Sequence, residues 1–315
     1  MKDRFGREIS YLRLSVTDLC NLRCVYCMPE CGVSKLRHED ILRIEEIEEI
    51  ARAAAQLGVA KVRITGGEPL VRRGIIEICR RVSSVPGITE TSLTTNGALL
   101  PRFSPELRDA GVKRLNISLD SLDAETYRRI TRGGELPDAL RGIEAALAAG
   151  FEEIKINCVL IGGVNDRELT AIAGLSRASG VHVRFIEMMP FGGAAGHAYG
   201  SFLPGASVLE AAPDLEPVGV DGVARLYAFP WAPGTVGLIN AVTEPFCPGC
   251  NRIRVTADGM LKPCLHSADE TSLRGLHGNG LIETMRAAIF GKPLRHHLDG
   301  FANSASERGM NAIGG

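Results

Sequence analysis

The chain has 315 residues, of which 45 % are hydrophobic and 23 % charged, the balance of a globular protein with room for one barrel and an appendage. Its 36 lysines and arginines nearly cancel its 37 aspartates and glutamates, which argues against a general nucleic-acid binder while allowing a local cationic pocket. No run approaches the roughly 18 apolar residues of a membrane helix, and the charged start MKDRFGREIS lacks a secretory apolar segment, so a cytoplasmic chain is expected. Nine cysteines are the oddity: six fall in two tight groups, which in such a chain reads as metal binding rather than disulfides.

Extended runs and helical runs alternate from the start. YLRLSVTD (11–18) is followed by a helical pattern at 39–57, with Ile41, Ile44, Ile47, Ile50 and Ala54 on one face. KVRITGG (61–67), ETSLTTNG (90–97), RLNISLD (114–120), EIKINCVLI (153–161) and HVRFIEMMP (182–190) are the next extended runs. This spacing implies right-handed crossovers and a parallel sheet. Each strand has one apolar face, such as Leu12, Leu14 and Val16, and one polar face: Arg13, Ser15 and Thr17, then Lys61, Arg63 and Thr65. Later strands offer Ser92, Thr94 and Asn96, then Asn116, Ser118 and Asp120, then Lys155 and Asn157, then Arg184. A sheet covered by helices on both sides would be apolar throughout. The alternation therefore favours an incomplete (β/α)6 barrel of the TIM type, α/β in class, with a wet lumen.

After Pro190 the chain turns glycine-rich, and a short helix near 205–212 closes a first unit, 1–220. The smaller unit, 221–315, holds the runs VARLYAFP and TVGLINAV and a hairpin turning at Asp258-Gly259. A helix at 280–290 and the tail Ile313-Gly314-Gly315 follow.

Cys20, Cys24 and Cys27 form C-x3-C-x2-C directly after the first strand, where barrel sites are built. Three thiolates can hold three irons of a cubane and leave the fourth open; a zinc site completed by Cys31 is the alternative. Cys247, Cys250 and Cys264 suit either a second cluster or a Cys3His zinc site with His266. Lumen-facing Arg13, Arg63, Lys155 and Arg184 would be costly to bury without counter-charge, which implies a polyanion. Arg252 and Arg254 share a strand face beside Cys250, as phosphate contacts or as a solvated edge.

Tyr26 before the last cysteine of the first group, and Gly66-Gly67-Glu68-Pro69 after the second strand, resemble the radical S-adenosylmethionine (radical SAM) superfamily. LRLSVTDLCNLRCVYCMP, LTTNG, NISLD, IKINCVL, RFIEMMPF, FCPGCNRIRVTADGMLKPCL and the terminal Ile-Gly-Gly are similar to its GTP 3′,8-cyclase family over nearly the whole chain. That resemblance implies two [4Fe-4S] clusters on the two cysteine groups, the second carrying the guanine base on its open iron. It implies S-adenosylmethionine as the source of a 5′-deoxyadenosyl radical, and GTP as the substrate converted to (8S)-3′,8-cyclo-7,8-dihydroguanosine 5′-triphosphate. By resemblance, Arg13, Arg63, Thr94, Lys155, Arg252, Ile253 and Arg254 contact GTP, and Arg184 joins them as a lumen-facing cation. Tyr26, Gly67, Ser118 and Met189 contact the adenosylmethionine, and Gly314-Gly315 reach into the site. The implied partners are a flavodoxin or ferredoxin as electron donor, cyclic pyranopterin monophosphate synthase as the next enzyme, and a second copy in a homodimer.

Leu19, where the family commonly has arginine, and the glycine-rich 192–200 are departures. Cys79 and Cys158 read as core thiols, Cys31 as a bystander, and His296-His297 as exposed. The rival readings are a peptide-modifying radical SAM enzyme and a zinc-stabilised nucleic-acid module. The first usually has more C-terminal cysteines and no need of four lumen cations; an aromatic content of 5 % disfavours the second.

Overall fold

A computed structural model of the protein describes residues 1–178, 180–190, 200–296, 304–306 and 308–314. Six βα units form as the alternation requires. The strands are β1 (Tyr11–Ser15), β2 (Lys61–Thr65), β3 (Glu90–Thr95), β4 (Val112–Ser118), β5 (Glu153–Leu160) and β6 (Val181–Glu187). Helices α1 (Ile44–Gln56), α2 (Ile75–Ser83), α3 (Leu100–Asp109), α4 (Ala124–Thr131), α5 (Leu136–Ala149) and α6 (Leu169–Gly174) run between them. The helical pattern at 39–57 splits, because a short 3-10 turn at His38–Asp40 ends before Arg43, whose amide is held by the Glu46 carboxylate at 2.7 Å to start α1.

The apolar strand faces do what the alternation demands. Leu12, Leu14, Val62, Ile64, Leu93, Leu115 and Ile156 pack with Ile47, Ile50 and Ala54 of α1 and with Ile78, Cys79 and Val82 of α2 in one continuous core. Each such large side chain, removed from water, contributes about 1.5–3 kcal/mol. Cys79 and Cys158 are fully buried, as expected of core thiols, while Cys31 is exposed.

The C-terminal third does not stand apart from this sheet. It supplies α7 (Ala206–Ala211), β7 (Glu216–Asp221), β8 (Ala224–Ala228), β9 (Val236–Ile239), β10 (Arg252–Val255), β11 (Met260–Lys262) and β12 (Thr271–Ser272). The helices α8 (Gly278–Phe290) and α9 (Met310–Ile313) complete it. All twelve strands form one sheet in the order β12-β11-β10-β1-β2-β3-β4-β5-β6-β9-β8-β7. β10 pairs parallel with β1 and β9 parallel with β6, so the parallel part of the sheet is longer at each end by one strand from the tail. Antiparallel hairpins then continue outward on both sides. Among the described residues no helix is long and apolar enough to cross a membrane.

Candidate active site

The first cysteine group sits in the loop that leaves β1. The amides of Cys27 and Met28 both donate to the Cys24 carbonyl, at 2.9 and 3.2 Å, so the thiols are gathered on one tight turn. Burial pushes the Cys27 thiol up to about 12, with Cys20 adding to the effect, and raises Cys24 well above its ordinary value. Buried thiols of this kind become favourable thiolates only on a metal, and soft sulfur donors suit iron. Among the described residues no three His, Cys, Asp or Glu side chains gather tightly around one point, and cubane thiolates, each on its own iron, require no such convergence.

Gly66-Gly67-Glu68-Pro69 braces that loop. The Gly67 amide donates to the Thr17 carbonyl and the Glu68 amide to that of Leu19, each at 2.8 Å. A β-carbon on Gly67 would stand 2.4 Å from the Leu19 carbonyl oxygen, so only glycine allows this approach. Glu68, fully buried, accepts from the Leu70 amide, the Thr95 hydroxyl and the Asn96 amide, yet burial still lifts its carboxyl to about 7. Tyr26 donates its hydroxyl to Asp120 Oδ2 at 2.7 Å, and burial raises the Asp120 carboxyl to about 6.

A cavity of about 240 Å³ opens beside this loop and reaches the second cysteine group. Of the candidates named from the sequence, Arg13, Tyr26, Thr94, Ser118, Met189, Cys247, Cys250, Arg252, Arg254 and Cys264 all line it. Thr94 Oγ1 and Arg13 Nε are buried there without a hydrogen-bond partner among the described residues, the mark of a wall shaped for a polar ligand. Ile253 alternates away and is buried in the core, so only its backbone faces the site. Cys20, Cys24 and Cys27 are not on this wall; Cys20 lines a second hollow with Asp18, Arg23 and Lys35.

Two buried cations position the second cysteine group through backbone carbonyls. Arg7 Nη1 donates to the carbonyls of Cys247 and Leu294, each at 2.9 Å, and Asp3 anchors Arg7 by an ion pair at 2.7 Å. Lys292 Nζ donates to the Arg252 and Pro263 carbonyls at 2.9 and 2.5 Å. Burial works to raise the Cys250 thiol, but Lys292 and Arg252 more than reverse it and bring it to about 7. His266 is pushed down to about 3 by burial first and then by His296 and Arg254. His296 is therefore not the exposed residue expected, since its ring packs edge-on against His266 at 5.1 Å and it lines the cavity. His297 lies outside the described residues.

The convergence expected of Arg13, Arg63, Lys155 and Arg184 divides in two. Arg13 pairs in register with Arg63 on one side and Arg254 on the other, forming with Arg252 a group of four arginines that no described carboxylate neutralises. Burial, then Arg254, Arg63 and Arg252, pull Arg13 well below its ordinary value. Arg63 lies over the Tyr11 ring at 5.4 Å and Arg252 over Phe246 at 4.7 Å. Lys155 and Arg184 are instead compensated: Asp221 Oδ2 is 2.7 Å from Lys155 Nζ and 3.3 Å from Arg184 Nη2. The pair closes a chain of charges that runs Lys61, Glu90, Arg114, Glu153, Lys155, Asp221, Arg184, with successive contacts of 2.7 to 3.4 Å.

The Radical SAM superfamily model matches residues 14–175, and the Molybdenum Cofactor Synthesis C model matches residues 181–298. The chain is 48 % identical over 320 residues to the GTP 3′,8-cyclase of Alkaliphilus metalliredigens, covering 100 % of both chains. It is 49 % identical over 329 residues to the GTP 3′,8-cyclase of Pelotomaculum thermopropionicum, again covering 100 % of each. The chain belongs to the GTP 3′,8-cyclase family. Its fold is also similar to that of Streptococcus suis SuiB bound to S-adenosylmethionine, with a TM-score of 0.64 over 89 % of this chain and 68 % of that one. At 15 % identity that likeness concerns the fold alone. For a radical SAM enzyme of this family, the two thiol groups, and a cavity lined by Tyr26 of the first loop and by the second group, fit S-adenosylmethionine and two Fe-S clusters.

In this GTP 3′,8-cyclase the tail enters the barrel. α9 carries the buried Asn311 and Ile313 under the first cysteine loop, and the Gly314 carbonyl accepts from Arg254 Nη1 at 2.6 Å. Gly314 has φ +83°, and a β-carbon there would meet Thr65 Cγ2 at 2.5 Å, so the close passage between β2 and β10 requires glycine. Gly315 lies outside the described residues, as do 191–199 of the glycine-rich stretch. Sequence reasoning missed Arg7, Lys292 and Asp221 altogether. Asp120 was seen only as a polar-face residue, although its place at the carboxyl end of a barrel strand is where catalytic groups gather.

Proposed function

We propose that this chain converts GTP to (8S)-3′,8-cyclo-7,8-dihydroguanosine 5′-triphosphate, the first step of molybdenum cofactor biosynthesis. The observation that carries the reading is one cavity lined by both Tyr26, which adjoins the first thiol group, and Cys247, Cys250 and Cys264, with Arg13, Arg252 and Arg254 on the same wall. Cys20, Cys24 and Cys27 would hold a [4Fe-4S] cluster that, together with S-adenosylmethionine, would supply one-electron cleavage of a carbon–sulfur bond and hence hydrogen abstraction.

The protein's own residues place the reactants. Tyr26, Gly67, Ser118 and Met189 hold the adenosylmethionine, and Glu68 fixes the loop that presents it. Arg13, Arg63, Arg252 and Arg254 fork onto phosphate oxygens, which supply the negative charge these four lack among the described residues. Thr94 offers its unpaired hydroxyl, and Lys155 and Arg184 extend the cationic surface. Cys247, Cys250 and Cys264, whose segments Arg7 and Lys292 hold in position, would carry a second cluster that would bind the base. Residues 1–220 form the unit around the first site and 221–315 the unit that carries the second. In this reading the enzyme works in the cytoplasm as a homodimer. A flavodoxin or ferredoxin reduces it, and cyclic pyranopterin monophosphate synthase consumes its product.

Paired cysteine variants test the proposal. Cys24→Ala removes the first cluster and abolishes formation of 5′-deoxyadenosine under dithionite, while iron at the C-terminal site persists. Cys250→Ala leaves some adenosylmethionine cleavage but no cyclic product, because the base loses its anchor and near-attack geometry with it. Normal cyclisation by Cys250→Ala would reduce the second site to a structural staple.

A further inference from the structure

Asp221 differs from the other carboxylates in the chain of charges. Glu90 and Glu153 belong to β3 and β5, barrel strands paired on both sides, and each has one of its cations in register on the strand before it, Lys61 for Glu90 and Arg114 for Glu153. Asp221 instead ends β7, the outermost strand of the sheet, which pairs with β8 alone and whose six residues are all exposed. From that free edge its Oδ2 reaches Lys155 Nζ at 2.7 Å and Arg184 Nη2 at 3.3 Å. Arg184 is 4 % exposed and Asp221 45 %. A deeply set cation thus has its counter-charge at the end of an exposed edge strand.

One carboxylate oxygen shared between an ammonium and a guanidinium is also the arrangement a phosphate oxygen would adopt on the same two groups. We propose that Asp221 is a specificity-determining residue, an internal anion that occupies Lys155 and Arg184 until a phosphorylated ligand displaces it. This rests on the reading of Lys155 and Arg184 as phosphate contacts. An exchange of one anion for another keeps the two cations neutralised throughout, which avoids leaving buried charge unpaired. It also sets a threshold. A ligand without phosphate has nothing to offer the two cations, and a phosphorylated one must outcompete a carboxylate already in place.

The test compares anaerobic, cluster-loaded wild type with Asp221→Asn, Asp221→Glu and Lys155→Ala, measuring Kd for GTP, GDP and guanosine. Asp221→Asn should bind GTP and GDP about tenfold more tightly, the scale of one charge-assisted contact no longer contested, with guanosine unchanged. Asp221→Glu should keep wild-type affinities. Cluster absorption and melting curves report whether each variant is folded, and the contrast between phosphorylated ligands and guanosine is one a general loss of structure would not produce. Unchanged or weaker GTP binding by Asp221→Asn, while Lys155→Ala binds GTP more weakly than wild type, would overturn the proposal alone. Wild-type GTP binding by Lys155→Ala would overturn the underlying reading and the proposal with it.

Discussion

Along β10, β1 and β2, Arg254, Arg13 and Arg63 stand at register positions with no carboxylate between them. From β2 to β6, on the same sheet, every cation in the chain of charges alternates with Glu90, Glu153 or Asp221 at 2.7 to 3.4 Å. Like charges on neighbouring strands cost stability, and alternating ones recover it. The arginine side therefore carries an unrelieved cost that a ligand can remove, while the alternating side is largely complete before any ligand arrives. Counting lumen cations does not distinguish the two; their partners do.

Substitution on the arginine side gives the largest effect. Arg13→Met should weaken GTP binding by about ten- to hundred-fold, as expected for a lost charge-assisted contact of roughly 1.5–3 kcal/mol. The ligand-free protein should meanwhile become more stable, by on the order of 1 kcal/mol, because an uncompensated cation has gone. Calorimetric binding beside urea denaturation reads both, and a parallel fall in affinity and stability would make Arg13 a scaffold residue.

On the alternating side the expectation reverses. Glu153→Gln removes the carboxylate shared by Arg114 at 3.2 Å and Lys155 at 3.1 Å. The ligand-free protein should lose about 1–2 kcal/mol, between the values for exposed and buried pairs, with a smaller change in GTP affinity than Arg13→Met. Wild-type denaturation midpoints for Glu153→Gln would erase the distinction between the two sides.

The smallest effect is a pH dependence at Asp221. Burial works to raise its carboxyl, but the Lys155 hydrogen bond and the charges of Lys155 and Arg184 prevail and hold it at about 2, below the ordinary 3.8. A carboxyl lowered on folding contributes stability that is complete above its unfolded value and lost as pH falls through its folded one. The stability difference between wild type and Asp221→Asn should thus be constant above about pH 4 and close between pH 4 and 2. Because Asp221 is half-exposed, that difference should stay under about 1 kcal/mol. A difference that grew on acidification would mean the ion pair is not what Asp221 contributes.

The six barrel strands and their two faces were legible because alternation is local: Leu12 and Arg13 declare opposite sides within two residues. The cysteine groups and Gly66-Gly67-Glu68-Pro69 were legible for the same reason, each being a compact signature at a strand end. Pairing is not local, so nothing in VGLINAV or NRIRV announced that β9 would join β6 and β10 would join β1. β7 escaped notice because Pro217 and Gly219 interrupt its run, and the register indeed shifts between them. Asp221, at the end of that interrupted run and just before Gly222, carries no local signal of its distant partners. Arg7 and Lys292 act on backbone carbonyls far away in sequence, a role that leaves no side-chain pattern to read.

The strand order has a consequence for how the chain is made. When residues up to β6 have been synthesised, the sheet has two bare edges, β1 and β6, each offering unpaired amides and carbonyls to any passing strand. Their natural occupants, β10 and β9, come from the last third of the chain, so the β6 edge stays bare until Ile239 and the β1 edge until Val255 have been made. Chaperones that shield sheet edges should therefore matter to its yield more than to a barrel closed by consecutive strands. A truncation before β10 should aggregate even where it removes no residue of the first cysteine loop.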